Sequence, residues 1–171
     1  MARGSGKLMR AALKFLRRAE RRARPGRMTP HARRHVFGGD VRPGKTKGSG
    51  YHYRPGGKDF PDRRIIPGTK RIDPRTGVYE AKPEFFDPTV NPPHGAWKPK
   101  AGNGGNSSFF PDHWTPAQVD AAIPGAFRRA SPVPGDPDKW RGTYGGVTIE
   151  GFYDGHGGYR HGWPVVPPPS P

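Results

Sequence analysis

From residue 29 onward, glycine and proline occur at such short intervals that we expect only short helices and strands. The chain has 26 glycines and 23 prolines among its 171 residues, and both residue types are disfavoured inside a helix or a central strand. Leu, Ile, Val and Phe number only 26 in total, a proportion typical of disordered chains. However, the chain also contains nine Phe, six Tyr and four Trp residues. We therefore expect a small, loop-rich, marginally stable domain with a thin aromatic core.

The charge of the chain indicates a polyanionic partner. The formal net charge is +16 and the isoelectric point is about 10.8, and nucleic acid is the commonest partner of such proteins. A membrane surface and an acidic protein are the alternatives. The lack of cysteine excludes disulfides and thiolate metal sites. No apolar run approaches the length of a transmembrane helix, and the N-terminus lacks the apolar region of a secretory signal.

The first 28 residues differ in composition from the rest of the chain. They contain ten Lys or Arg residues and one acidic residue, Glu20. A solvated arm or linker, an RNA-phosphate contact, a membrane-surface helix and a partner-docking helix are all compatible with this charge. We assign residues 1–28 to a basic helix or arm, 29–166 to the main domain and 167–171 to a Pro-rich tail. The helix is predicted to end near Pro25, and its apolar stripe consists of Leu8, Ala12, Phe15, Leu16, Ala19 and Ala23.

Two hairpins are predicted in the main domain. The turn of the first lies at residues 73–77, and the turn of the second lies at residues 154–158. Val147 and Ile149 should face inward in the second hairpin. Residues 83–106, which are rich in Pro, Gly and Asn, are interpreted as a long surface connection.

The segment TPAQVDAAIPGAF predicts a short helix. Thr115 is placed to cap its N-terminus, and Gln118 completes a capping box. Pro124 is expected to kink the helix or to end it early. The predicted buried stripe consists of Val119, Ala122, Ile123 and Ala126.

The letters G-x-x-x-x-G-K-T, which spell a nucleotide-binding P-loop, occur from Gly39 to Thr46. A working P-loop follows a buried strand and opens a helix, whose N-terminus holds the phosphates. The residues before Gly39 offer little strand material, and the glycines and proline after Thr46 cannot form a helix. We therefore predict no triphosphate site here.

The same region is interpreted as a flexible basic loop, Gly38 to Gly50, with a histidine on each flank. His35 precedes the loop and His52 follows it. Two histidines that meet can act as general base and general acid, because imidazole titrates near neutral pH. The cations expected to bind phosphate are Arg42, Lys45 and Lys47.

Six sequence motifs occur in the order in which one known family has them. RHVFGGD is followed 17 residues after its histidine by the histidine of GSGYHY, and then by TGVYEA, SSFFPDHWTPAQVDAAI and GVTIEGFYD, with YRHGWPV at the end. Over about residues 30–166 the chain thus resembles the bacterial EndoU-type endoribonucleases. The resemblance implies an α+β domain with two short antiparallel sheets around a cleft, here preceded by a basic N-terminal helix.

The resemblance also implies a reaction. It implies cleavage of single-stranded RNA, near uridine, by attack of the ribose 2′-hydroxyl on the adjacent phosphorus to leave a 2′,3′-cyclic phosphate. No cofactor is implied, and Mn²⁺ would at most stimulate the reaction. His35 and His52 match the two catalytic histidines of the family, and which of them is the base stays open.

The last strand departs from the family pattern. Where the family has TAYP, whose Thr and Tyr contact the base, this chain has His161 and Trp163. Trp163 keeps a stacking face and His161 offers a ring nitrogen, so the base preference and the activity itself stay open. Alternation along the strand should place Tyr159 on the same side as these two residues. Ser108 is a candidate to bind a base or phosphate, and Lys82 is a candidate for the lysine that some relatives place near the phosphate.

Structural roles compete with the functional ones. His35 and His52 could be solvated loop residues, and Trp163 could cap the sheet. His31 and His35 have the spacing of a helical metal pair, but Pro30 leaves little room for a helix, so no metal is assigned. The aromatic residues interpreted as core, not as base-stacking platforms, are Phe109, Phe110 and Trp114.

The resulting hypothesis is an endoribonuclease that forms the toxic domain of a bacterial antagonism system. It would act in the cytoplasm of a target cell, or in its own cytoplasm if it is not delivered, and its partners would be RNA and an acidic immunity protein. The first alternative is a non-catalytic, basic RNA-binding protein on the same scaffold. A ribosome-associated or architectural basic protein is the second.

Overall fold

The structure, a computed structural model, describes residues 3–17, 26–41 and 44–168. Within these ranges it has three α-helices: α1 (Arg3–Arg17), α2 (Pro30–Phe37) and α3 (Pro116–Phe127). The strands are β1 (Arg63–Ile65), β2 (Arg71–Ile72), β3 (Tyr79–Ala81), β4 (Pro83–Asp87), β5 (Ala96–Pro99), β6 (Ser107–Phe109), β7 (Ser131–Val133), β8 (Asp136–Tyr144), β9 (Val147–Tyr153) and β10 (Tyr159–Pro164). No helix of the described ranges is long and apolar enough to cross a bilayer.

These strands form three antiparallel sheets, with strand orders β1-β4-β5, β2-β3-β6 and β10-β9-β8-β7. The prediction of an α+β domain is confirmed, although the described residues form three small sheets where two were expected. Both predicted hairpins are present, as β2–β3 and β9–β10. Val147 and Ile149 are buried as expected.

Residues 83–106 do not form a long surface connection, because β4 and β5 lie within them. Phe85 is fully buried, and Phe86 is paired across the two strands with Trp97. Pro and Gly dominate this segment by number, but three aromatic residues supply enough apolar surface and β-propensity for a short two-strand pair. This difference moves the residues that follow β5 close to the candidate site.

Helix α2 forms where the sequence suggested too little room for a helix. The Thr29 hydroxyl accepts a hydrogen bond from the Ala32 N–H (3.2 Å), and Pro30 occupies the first turn, where a missing N–H costs nothing. Buried Arg33 donates to Asp120 of α3 (2.9 Å), which joins the two helices. The proline that argued against a helix is therefore its start signal.

Helix α3 has the predicted N-terminus, with both hydrogen bonds of the capping box between Thr115 and Gln118. Its four predicted core residues are fully buried. Pro124, however, does not end the helix, which continues to Phe127. Because Pro124 has no N–H, the carbonyl of Asp120 lacks its helical hydrogen-bond donor. The Met28 N–H donates to this carbonyl instead (3.0 Å).

Helix α1 packs against the domain. Ala12 is fully buried, and the Phe15 ring stacks on Phe37 of α2 with centroids 5.9 Å apart. Leu16 lies against Gly38, just after α2. The predicted continuation over residues 18–25 lies outside the described residues, as does the tail beyond residue 168. The exposed face of α1 carries Lys7, Arg10, Lys14 and Arg17.

The core is aromatic, as the composition predicted. The buried tyrosines find hydrogen-bond partners: the Tyr53 hydroxyl donates to the Trp114 carbonyl (2.6 Å), and the Tyr79 hydroxyl donates to Asp112 (2.6 Å). Phe109, Phe110 and Trp114 are core residues, in agreement with the prediction. The largest fully buried side chains include Trp140, Tyr51, Tyr53, Tyr79, Phe37 and Phe85.

Candidate active site

The structure brings His35 and His52 together at the C-terminal end of α2. The last carbonyls of a helix lack helical donors, and here the Tyr51 N–H donates to the His35 carbonyl (2.8 Å) and the His52 N–H to the Val36 carbonyl (2.7 Å). The two imidazole centroids are 5.3 Å apart. His35 is therefore a residue of helix α2 and not of the loop. The residues that follow the loop, Tyr51 and His52, are hydrogen-bonded to the C-terminal end of the same helix.

The ring of His52 is held in one tautomer. Its Nδ1 lies 2.8 Å from the Ser108 carbonyl and 3.1 Å from the Ser107 hydroxyl, which itself donates to the Tyr51 carbonyl (2.8 Å). A carbonyl oxygen only accepts, so Nδ1 carries the proton and Nε2 of the neutral ring is the free acceptor. Ser108 thus contributes its backbone to the site, and its side chain lines the adjacent cavity.

Strand β10 brings its aromatic rings to the same place. The His161 ring stacks on His35 with centroids 3.9 Å apart, and Trp163 lies 6.4 Å from His52. Phe152 of β9 contacts both His161 and Trp163. The prediction that Tyr159 lies on the same side of β10 as His161 and Trp163 is wrong. A bulge between Tyr159 and His161 shifts the register of the strand. Tyr159 packs against the core residue Trp140 instead.

Two cavities meet at these rings. The larger, of about 540 Å³, is lined by both catalytic candidates and by Ser108, Lys100 and Trp163. The smaller, of about 310 Å³, shares His35, Ser49, Phe152 and His161 with the larger one. The remaining lining of the larger cavity includes Asn103, Asn106, Lys139, Glu150 and Phe152.

Two lysines line the larger cavity, Lys100 and Lys139. Lys139 is ion-paired with Asp136 (2.8 Å), so Lys100 is the candidate for a phosphate contact. It follows β5, and its position is fixed by backbone hydrogen bonds that flank it: Gly48 donates to the Pro99 carbonyl (2.9 Å) and Ala101 donates to the Gly48 carbonyl (2.7 Å). Burial lowers the pKa of Lys100. Lys82 is exposed and lines neither cavity. The sequence analysis missed Lys100 because it assigned residues 83–106 to a surface connection; the signal was Trp97, which marks a strand directly before it.

The basic loop lies outside the cavity lining. Lys45 and Lys47 are exposed and line neither cavity, and the Lys45 carbonyl accepts a hydrogen bond from Lys98 (2.7 Å). Arg42 lies outside the described residues. A phosphate contact by these three cations stays a prediction.

The imidazoles of the site are neutral at neutral pH. Burial, followed by the charge of Lys100, lowers the pKa of His52 to about 3, and burial, followed by His31 and Arg160, lowers the pKa of His161 to about 4. Burial and the rings of His52 and His161 also lower the pKa of His35. A bound phosphate would oppose these causes, because a nearby anion favours the protonated ring.

These pKa values predict a loss of stability in mild acid. The unfolded histidines bind protons below their ordinary pKa of about 6.5, whereas the folded His52 ring does so only near pH 3, so the free energy of unfolding falls as pH drops through this window. Each buried histidine with a lowered pKa reduces the free energy of unfolding by about 2 kcal/mol between pH 6.5 and 5. We expect denaturant titrations at pH 7 and pH 5 to show this drop, and to show a drop smaller by about 2 kcal/mol in His52→Gln. His156→Gln, at an exposed turn residue, is the control and should keep the full drop; equal drops in all three proteins would contradict the expectation.

His31 and His35 lie on one face of a helix, because both belong to α2 and are four residues apart. Two histidines alone do not make a metal site. In the ranges that the structure describes, no group of three or more His, Cys, Asp or Glu residues could hold a metal ion.

Known proteins match this chain over the domain just described. The family model of the bacterial EndoU nuclease matches residues 29–166. A Bacillus cereus protein named Toxin is 28% identical over 133 residues, which cover 75% of this chain and 21% of that protein. The chain thus spans about a fifth of the length of that relative. No solved structure matches the chain.

Proposed function

Since this chain belongs to the bacterial EndoU nuclease family, we propose that it is an endoribonuclease that uses the ribose 2′-hydroxyl of its substrate as the nucleophile. The observation that carries this proposal is the meeting of His35, His52 and Lys100 at one cavity. Attack by the 2′-hydroxyl needs a base for its proton, an acid for the departing 5′-oxygen and a cation for the charge that develops on the phosphoryl oxygens. The cavity offers one group for each of these tasks.

His52 is the general base. With Nδ1 donating to the Ser108 carbonyl, its neutral ring keeps the Nε2 lone pair for the proton of the 2′-hydroxyl. The low pKa of His52, about 3, keeps this lone pair available at neutral pH. As the O2′–P bond forms, the proton passes to His52.

His35 is the general acid. Its lowered pKa in the free protein rises when a phosphate anion binds beside the ring. The protonated ring then gives its proton to the 5′-oxygen as the P–O5′ bond breaks, so one strand ends in a 2′,3′-cyclic phosphate and the other in a 5′-hydroxyl. Lys100 stabilises the negative charge between these two events.

The larger cavity accommodates the nucleoside whose 2′-hydroxyl attacks. Its wall includes the aromatic rings of Phe152 and Trp163, and its polar groups include Ser108 and Asn106. Aromatic rings stack on any base, whereas amides and hydroxyls distinguish between bases through hydrogen bonds. This combination supports a preference for one base, for which uridine is the first candidate.

The direct test is incubation of the protein with a uridine-containing oligoribonucleotide in the presence of a chelator. We expect cleavage and a cyclic phosphate at the new 3′ end, because the proposed chemistry needs no metal; a parallel reaction with Mn²⁺ measures any stimulation. A matched oligonucleotide with 2′-deoxyuridine at the cleavage site should stay intact, since it lacks the nucleophile. If the protein bound RNA and never cut it, the non-catalytic RNA-binding alternative would replace this proposal.

We further propose that the nuclease acts as a toxin in the cytoplasm of a bacterial target cell and is neutralised by an acidic immunity protein. The relative named Toxin supports the first part, and the net charge of +16 supports the second, because an acidic protein can imitate the phosphates of RNA. Gel filtration of the nuclease with the product of a neighbouring small reading frame tests the partner. A failure of the two proteins to elute together would argue against it.

A further inference from the structure

The smaller cavity is a second pocket beside the proposed reaction centre. It shares four lining residues with the larger cavity, namely His35, Ser49, Phe152 and His161. Its other lining residues are His31, Arg34, Asp40 and Arg160. The two cavities are therefore neighbours, and the ring that we assign as the general acid belongs to the lining of both. The four residues that line only the smaller cavity have no part in the proposed nucleoside site or reaction chemistry.

The smaller cavity carries uncommitted positive charge. Arg34 projects from α2 and Arg160 from β10, and both are exposed. Neither forms an ion pair within the described part of the chain. Asp40 is the single carboxylate of the lining, so the pocket keeps a net positive charge. Guanidinium groups present forked donors that match phosphate oxygens.

The boundary between the cavities has an unsatisfied polar atom. His161 Nδ1 is buried and has no hydrogen-bond partner in the described structure. A buried nitrogen without a partner is costly, and such groups occur at functional sites. His161 lines both cavities, as expected of a residue that contacts a strand passing from one to the other.

We propose that the smaller cavity binds the phosphate on the 3′ side of the leaving nucleotide, through Arg34 and Arg160. This inference rests on the proposed function. With the attacking nucleoside in the larger cavity and the scissile phosphate at His35, the strand continues past His35 into the smaller cavity. The enzyme therefore recognises at least two consecutive phosphates and cleaves a substrate that carries the second one faster than a simple dinucleotide.

Three small substrates test this proposal: the dinucleotide UpA, the same dinucleotide with a 3′-phosphate (UpAp) and the same dinucleotide with a 5′-phosphate (pUpA). We expect kcat/KM of the wild-type protein to be about tenfold higher for UpAp than for UpA, the size of one charge-assisted contact. pUpA should show no comparable gain. In Arg34→Gln and Arg160→Gln, the ratio of kcat/KM for UpAp to that for UpA should fall towards one.

Arg75→Gln is the matched control, because Arg75 is an exposed arginine of the β2–β3 turn that lines neither cavity. This variant should keep the wild-type ratio. Equal kcat/KM values for UpAp and UpA in the wild-type protein would overturn the phosphate site, as would a gain that belongs to pUpA or survives in both arginine variants. If the protein cleaved none of the three small substrates and no longer uridine-containing RNA either, the proposed function itself would be refuted.

Discussion

Replacement of His52 by alanine is expected to lower kcat/KM for RNA cleavage by about 10³-fold, because a positioned general base contributes about 10²–10⁴ to the rate. His35→Ala should have an effect of similar size through loss of the general acid. Binding of an uncleavable 2′-deoxyuridine analogue should change little in His52→Ala, since the neutral His52 ring supplies neither a cation nor a stacking surface of the site. Steady-state kinetics and fluorescence anisotropy measure the two quantities separately.

Two controls accompany these variants. His156→Ala removes an exposed histidine of the β9–β10 turn and should retain wild-type kinetics. His52→Ala also leaves the Ser108 carbonyl without its donor, which costs about 1–3 kcal/mol, so thermal unfolding must show that the variant is folded at the assay temperature. A folded His52→Ala protein with wild-type activity would rule out the assigned base.

Gly50→Ala is expected to destabilise the protein and to inactivate it together. Gly50 has φ +75°, and a Cβ atom there would lie 2.3 Å from the His35 carbonyl oxygen and 3.0 Å from His35 Nδ1. The left-handed backbone costs alanine about 1–2 kcal/mol, and the overlap forces apart the chain segments that hold the two histidines. We expect the free energy of unfolding to fall by about 3 kcal/mol or more, and kcat/KM to fall by at least about 10²-fold.

Gly157→Ala is the matched control, since Gly157 has φ +86° but no atom within 4 Å of the added Cβ. Denaturant unfolding of this variant should show only the backbone cost of about 1 kcal/mol, with unchanged cleavage. If the two alanine variants lost equal stability and activity, the close approach of Gly50 to His35 would have no special importance.

Local signals with a single physical cause could be read from the sequence. The capping residues Thr115 and Gln118 predicted the start of α3, and the turn residues of both hairpins predicted the strands around them. The pairing of His35 with His52 was also predicted, although the geometry that produces it was not. Sequence spacing gave two histidines on the flanks of a loop, whereas the structure shows backbone bonds from Tyr51 and His52 to the last carbonyls of α2.

The predictions that failed share a cause, which is that the structural effect of proline and glycine depends on their position in a helix or strand. Pro30 starts α2, and Pro124 is tolerated inside α3 because a distant N–H satisfies the carbonyl it frees. Counting Pro and Gly also concealed β4 and β5, and with them Lys100. The bulge in β10 that separates Tyr159 from His161 has no sequence signal that strand alternation could use.

Helix α1 lies outside the segment that matches the family, residues 29–166, yet Phe15 covers Phe37 and Leu16 covers Gly38 at the end of α2 that carries His35. If residues 29–166 alone were fused to another polypeptide, this apolar contact between α1 and the end of α2 would be exposed to water. The smallest segment that would function in a fusion protein therefore includes α1, unless the fusion partner supplies apolar side chains that cover Phe37 and Gly38.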